Sequence, residues 1–313
     1  MTTPTETDRY RGCLLGLAAG DAVGTTVEFM SRGSFEPVTD MVGGGPFRLR
    51  PGEWTDDTSM ALCLAESLLA CEGFDARDQM ERYCRWWREG YLSSNGRCFD
   101  IGTTVSAALR SFEKTGEPLS GSTEERTAGN GSLMRLAPVV LYFAPDERAT
   151  LEHAASSSRT THAAREAVDA CRLFAAFLLR ALAGGSKDEV LAAGVSAEPL
   201  FHATGGNLSP RIGQVAAGSW REKSDREIRG TGYVVASLEA AIWSFATTDG
   251  FADAILCAAN LGDDADTTAA VCGQLAGAFY GASGIPAPWR ERLAHGAKIA
   301  AYADRLRAAK PHP

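Results

Sequence analysis

The sequence predicts an all-α protein folded as one domain, and three observations carry that reading. Apolar residues recur at helical spacings along most of the chain. No run of strand-like alternation and no strand–helix–strand spacing occurs. No repeat period or linker divides the 313 residues, a length that can enclose one large core. The expected boundaries are a disordered N-terminal tail over residues 1–8 and a single domain over residues 9–313.

Taken in order, a helix from Tyr10 carries Gly12, Gly16, Gly20 and Gly24, spaced four apart on one stripe. Glycine weakens a helix, so this spacing serves close approach of a second helix. Asp21 and Glu28 are the acids at its end. Glu28 either reaches a central site or sits in solvent, as most glutamates do. Residues Ser31 to Glu53, with Gly43-Gly44-Gly45-Pro46 and no helical period, read as a long loop of the kind that serves as a lid. Trp54-Thr55-Asp56-Asp57-Thr58-Ser59 then opens a helix expected over 57–71. A second, over 75–89, has Trp86 and Trp87 as core or interface anchors. After a loop over 91–102, Asp100 stands where a helix over 101–114 needs an N-cap.

Gly129-Asn130-Gly131-Ser132 leads into an apolar run from Leu133 to Val140. Glycines entering a helix let backbone N–H groups approach a phosphate; the plainer alternative is an ordinary turn. Arg135 adds a cation there or is simply exposed. Thr161-His162 opens a helix over 162–182, with His162 either a cap or a ligand contact. The remaining helices are expected over 146–158, 187–193, 232–246, 250–261, 266–280 and 289–309.

The chemistry concentrates at Leu261-Gly-Asp-Asp-Ala-Asp-Thr-Thr268, where three carboxylates and two hydroxyls fall within six residues ahead of an apolar, buried-type helix. No Lys or Arg lies between Phe251 and Ala287, so no local salt bridge relieves them. Carboxylates crowded near an interior must be protonated, paired or bound to a cation. Hard oxygen donors of this kind suit Mg²⁺, Mn²⁺ or Ca²⁺. A solvated helix N-terminus is the alternative for one such turn. The turn at Thr55-Asp56-Asp57-Thr58 repeats the pattern, and two such turns are what a two-cation site requires.

The formal net charge of −8 argues against a nucleic-acid-coating role. Eight cysteines without a CxxC pair, mostly in apolar runs, read as buried free thiols of a reducing cytoplasm. The polar, charged Met1–Arg11 is not a signal peptide, and no apolar stretch is long enough to span a membrane.

Together these motifs resemble the ADP-ribosylglycohydrolase family. The matching pieces are Gly16-Leu-Ala-Ala-Gly20-Asp21-Ala-Val-Gly24 through Glu28, Trp54-Thr55-Asp56-Asp57-Thr58, Gly129-Asn130-Gly131-Ser132-Leu133-Met134-Arg135, Thr161-His162 and Gly262-Asp263-Asp264-Ala265-Asp266-Thr267. They occur in family order across about residues 10–285, and the ordered set is specific where each piece alone is modest. The resemblance implies an all-α fold with two Mg²⁺ or Mn²⁺ ions in a central cleft. It implies Thr55, Asp56 and Asp57 as ligands on one side and Asp264, Asp266 and Thr267 on the other. Glu28 matches an acid beside the metals, Gly131 and Ser132 match contacts to ADP-ribose, and His162 lies near the nucleotide. Where the family commonly has Gly-Gly-Asp-x-Asp-Thr, this chain has Asp263 at the second glycine, so Asp263 is read as a non-ligand.

The residues fit that chemistry. Cleaving a glycosidic bond at ribose passes through an oxocarbenium-like state helped by a carboxylate that activates water, and two cations can hold the ribose hydroxyls. Glu28 or Asp57 is the candidate base, the Gly129–Ser132 turn the diphosphate seat, and Asp100 the partner of an arginine substrate's guanidinium. The expected activity is metal-dependent removal of mono-ADP-ribose from modified protein side chains, arginine first, with ADP-ribose as product. Hydrolysis of O-linked ADP-ribose (serine or O-acetyl-ADP-ribose) and a non-catalytic ADP-ribose binder are the alternatives. An isoprenoid synthase is disfavoured, because Asp264 and Asp266 are two apart and cannot share a helix face.

Overall fold

The computed structural model describes residues 3–309, so the ends of the expected tail and domain at 1–2 and 310–313 lie outside the described residues. Sixteen α-helices occur among those described, joined by turns, with isolated β-bridges and no strand. In chain order they are α1 (Glu6–Gly24), α2 (Asp56–Ala70), α3 (Ala76–Glu89), α4 (Thr103–Thr115), α5 (Ala137–Phe143), α6 (Glu147–Arg159), α7 (Arg165–Leu182) and α8 (Lys187–Leu191). They continue with α9 (Ala193–Ser196), α10 (Glu198–Gly205), α11 (Pro210–Ala217), α12 (Val234–Ala246), α13 (Phe251–Ala259), α14 (Ala265–Tyr280), α15 (Ala287–Arg292) and α16 (Gly296–Ala308).

The centre is the antiparallel pair α1 and α14. A methyl group on Gly12, Gly16, Gly20 or Gly24 would overlap the carbonyl oxygen of Gly277, Gly273, Ala269 or Ala265 respectively. The glycine stripe therefore brings two backbones into direct contact, as its spacing predicts. The register matters for function. It sets the acidic N-terminus of α14 beside the C-terminal end of α1, which carries Asp21 and leads to Glu28. Both helices are buried on nearly all sides, with α2, α5, α7, α12, α13 and α16 packed around them.

Several expectations are corrected. Helix α1 starts at Glu6, capped by Thr5 and tied to Ser283 through Asp8, so the segment expected as a tail is helical over residues 6–8. The Gly129–Ser132 turn does not open a helix. The chain turns through 131–135 and α5 starts at Ala137, whose N–H is taken by buried Gln274 of α14 (2.8 Å). The first helical turn after Thr161-His162 begins only at Arg165. Helices α10 and α11 are additional, and the expected single helix over 289–309 is broken at His295, whose φ is 57°. The loop 31–53 is a loop, closed locally by the Gly44–Leu49 bridge. All eight cysteines are free thiols, and no helix of the described residues is long and apolar enough to cross a membrane.

Candidate active site

The acids at the end of α1 build the site by capping two other helices. Asp21 is fully buried and accepts four hydrogen bonds: from the Thr55 N–H (2.8 Å) and hydroxyl (2.9 Å), and from the Thr58 N–H (3.0 Å) and hydroxyl (2.7 Å). It satisfies the free N–H groups of α2, where Thr55 makes no side-chain cap of its own. Glu28 Oε2 accepts from the N–H groups of Ala265 (2.7 Å) and Asp266 (3.2 Å) and so caps α14. Both acidic turns are thus locked to one helix, which fixes them relative to each other.

The carboxylates converge in two layers. Oxygens of Asp21, Asp57 and Asp266 lie within 4.8 Å of one another, as do those of Glu28, Asp264 and Asp266, so Asp266 belongs to both groups. Thr55 Oγ1 and Thr267 Oγ1 stand 3.3 and 3.4 Å from Asp57 Oδ2. Asp57 Oδ1 is buried with no hydrogen-bond partner. Above this floor opens a cleft of about 650 Å³, lined by the acidic set Glu28, Asp56, Asp100, Asp264 and Asp266 with Thr267, and by Gly129, Asn130, Gly131 and His162. Thr55 and Asp57 lie beneath it. Asn130 Nδ2 ties the glycine turn to the acidic set by donating to Asp264 Oδ2 at 2.8 Å. Asp263 lines the cleft as well, held in the left-handed region (φ 59°) by hydrogen bonds to Phe29 and Met30.

Electrostatics show what the floor lacks. Burial, then neighbouring carboxylates, push Asp56, Asp57 and Asp266 well above the usual carboxylate range. Burial, then Asp264, raises Glu28 to about 8; burial raises Asp21 to about 6 and Asp100 to about 7. Such a group is at ease only when protonated or when a cation neutralises it. An orphaned buried oxygen amid hard oxygen donors fits a divalent cation of the Mg²⁺ or Mn²⁺ type.

Asp100 is not the N-cap of α4, which begins after Gly102; with φ 61° it turns back to line the cleft. Ser132 does not line it: its hydroxyl meets Ser158 (2.8 Å) in the core. Arg135 is neither exposed nor in the cleft. It is buried over the Tyr83 ring and donates to Gly131 O (3.0 Å) and Thr161 Oγ1 (2.7 Å). The Thr161 hydroxyl, which accepts from Arg135, also lies within hydrogen-bond distance of His162 Nδ1 (2.9 Å). Burial, then Arg135, lowers His162 to about 3, so the ring is neutral. Its Nε2 edge lies against Gly129 and Gly131; a Cβ on Gly131 would sit 2.8 Å from His162 Cε1.

Asp21 is the residue the motif reading left unassigned. Its signal was available: it is the single charge between Gly12 and Gly24, and a lone acid in a buried-type helix must be paired or used. Thr231 and Gly232, which also line the cleft, lie in a segment with no such signal.

Comparison with known proteins points to one family. A family model described as ADP-ribosylglycohydrolase matches residues 2–313. The chain is 48% identical to an ADP-ribosylarginine hydrolase of Serratia proteamaculans, over 96% of this chain and 79% of that one. It is 34% identical to the ADP-ribosyl-[dinitrogen reductase] glycohydrolase of Rhodospirillum rubrum, over 94% and 92%. A solved structure described as an ADP-ribosylglycohydrolase-related protein complex superposes with a TM-score of 0.84 at 44% identity, covering 97% of this chain and 98% of that one.

Proposed function

The chain belongs to the ADP-ribosylglycohydrolase family, and from that premise we propose that it hydrolyses the N-glycosidic bond between ADP-ribose and a protein arginine. It is a glycosidic hydrolase that reverses ADP-ribosylation. The observation that carries the arginine reading is the acidic cleft, which Asp100 lines together with Glu28, Asp56, Asp264 and Asp266 and which no Lys or Arg lines among the described residues. A guanidinium is the leaving group such a wall suits.

Two divalent cations, Mg²⁺ or Mn²⁺, would be held by Thr55, Asp56, Asp57, Asp264, Asp266 and Thr267, with Asp21 adding a ligand or a supporting oxygen. When bound, they hold ribose hydroxyls and water and offset the carboxylate charge. The chain's own groups do the rest. Glu28 is our base in preference to Asp57, because Glu28 lines the cleft and Asp57 lies beneath it. Its carboxylate takes the proton of the water that adds to the anomeric carbon as the bond to the guanidine nitrogen breaks. The proton that Glu28 takes from the water passes to the departing nitrogen, so arginine leaves as its guanidinium, which Asp100 holds. Gly129, Asn130 and Gly131 offer backbone approach to the diphosphate, and the neutral His162 ring lies beside them with its Nε2 edge toward the two glycines. Ser132 supports that turn from within the core. The partner is an ADP-ribosylated protein and the product ADP-ribose; the free thiols suit a reducing cytoplasm.

Kinetics of Asp100→Ala on matched arginine-linked and serine-linked ADP-ribosyl peptides test the reading. A loss of at least about 100-fold confined to the arginine linkage is expected, the scale of one positioned ionic contact to a leaving group. Equal loss on both linkages, or none, would contradict it.

A further inference from the structure

We infer that the rim of the cleft carries a docking pocket for an acidic segment of the modified protein, an inference that rests on the hydrolase reading above. A cavity of about 480 Å³ is lined by Arg48, Arg50 and Arg97, together with Phe47, Glu53 and Ser94. All three arginines are exposed. Among the described residues none of their guanidinium groups pairs with a carboxylate, whereas Arg11, Arg82, Arg88 and Arg292 pair with Asp304, Asp78, Glu113 and Asp40. Glu53, the acid in the pocket, is occupied in accepting the Arg50 N–H (2.8 Å).

The pocket is anchored to the active site. Its floor turn is closed by paired hydrogen bonds between Gly44 and Leu49 (2.8 and 2.9 Å). Ser94 Oγ donates to the carbonyl of Trp54 (2.6 Å), the residue before Thr55. Phe47 meets the ring of Phe29 edge-on at 6.2 Å, and Phe29 lines the cleft. The pocket therefore lies within reach of residues flanking a modified arginine seated in the cleft.

The charge pattern selects the occupant. The protein carries a net charge of −8 and the adjacent cleft is acidic, so three unpaired arginines in one pocket are an exception to the surface. Arginine forks match carboxylates in paired geometry. A nucleic acid needs a track of positive charge along its phosphates, whereas here the three arginines line one pocket, linked through Phe47 and Phe29 to a cleft lined by Glu28, Asp56 and Asp100. An acidic peptide flanking the modified arginine fits both features.

The test uses the intact chain and a fluorescent, unmodified hexaglutamate peptide, read by anisotropy at low and moderate salt. Wild type is compared with the triple variant Arg48→Gln/Arg50→Gln/Arg97→Gln and, as a gentler change, with Arg97→Gln alone. We expect saturable, salt-sensitive binding that the triple variant weakens at least tenfold and the single variant measurably. We also expect kcat/KM on a glutamate-flanked ADP-ribosyl-arginine peptide to fall at least tenfold through KM, while free ADP-ribosyl-arginine is hydrolysed as before. Equal binding of hexaglutamate and hexalysine, unchanged binding by the variants, or displacement by an oligothymidylate that binds more tightly would overturn the inference. Lost peptide binding without ADP-ribose release from any arginine substrate, free or peptide-borne, would instead overturn the hydrolase reading and this inference with it.

Discussion

Asp266 is the residue through which both carboxylate groups meet, since its oxygens lie within 4.8 Å of Asp21 and Asp57 and also of Glu28 and Asp264. Asp266→Asn keeps the volume and removes the charge. It should abolish calorimetric binding of Mn²⁺ and lower kcat by at least about 1000-fold, the scale of losing preorganised electrostatic stabilisation; retained tight Mn²⁺ binding would remove Asp266 from the ligand set. Asp21→Ala acts differently, because it leaves the N–H groups of Thr55 and Thr58 without their acceptor. About 2 kcal/mol of stability should be lost, as for a strong helix cap, measured by denaturant unfolding; an unchanged midpoint would show that water replaces the cap. The acidic turns at Thr55–Asp57 and Asp264–Thr267 were legible because chemistry is written there as adjacent residue types. Asp100 was legible as a candidate, but its placement was not: a left-handed backbone (φ 61°) directs it to the cleft instead of to α4, and nothing local in the sequence states that. Arg135 was misread because its burial depends on acceptors and a ring from distant segments, Thr161 and Tyr83.

Among the elements, α1 and α14 set the geometry of everything else. Their contact through Gly12, Gly16, Gly20 and Gly24 was legible because a four-residue glycine period has a direct packing meaning. Which helix it met was not, though Gly273 and Gly277 repeat the same period on α14. Gly16→Ala should destabilise by about 3 kcal/mol, the upper part of the range for overpacked interiors, because its methyl group would overlap a backbone carbonyl that no rotamer change can move. Thermal unfolding with and without Mg²⁺ checks this, and full stability would mean that the helices separate freely. Short helices were the illegible elements. α10 and α11 each have proline at an early position and span eight residues, α10 ending at Gly205 and α11 capped by Gly218, too short for a periodic apolar face to show. The break before α16 likewise rests on His295 adopting a left-handed backbone.

At the scale of the whole molecule, the all-α class and the single unit follow from a chain without strand alternation, and the fold holds seven acids together, Asp21, Glu28, Asp56, Asp57, Asp100, Asp264 and Asp266. That arrangement has a pH signature. Without cation, Glu28 titrates near 8 in the folded chain against 4.5 for the ordinary group, and Asp21 near 6 against 3.8. An acid whose pKa is raised by folding stabilises the folded state while protonated, and that contribution is lost as pH rises through the folded pKa. Chelated protein should therefore melt at a lower temperature at about pH 8.5 than at about pH 5.5, and Mg²⁺ should restore the loss at the higher pH. A chelated protein that is more stable at the higher pH would contradict the charge crowding. The most direct test of the central claim is release of ADP-ribose from a mono-ADP-ribosylated arginine protein with Mg²⁺, with Mn²⁺ and with chelator, for wild type and Asp264→Ala. The account predicts release that requires the cation and that the variant lacks. Release undiminished by chelator, or by loss of Asp264, would contradict it.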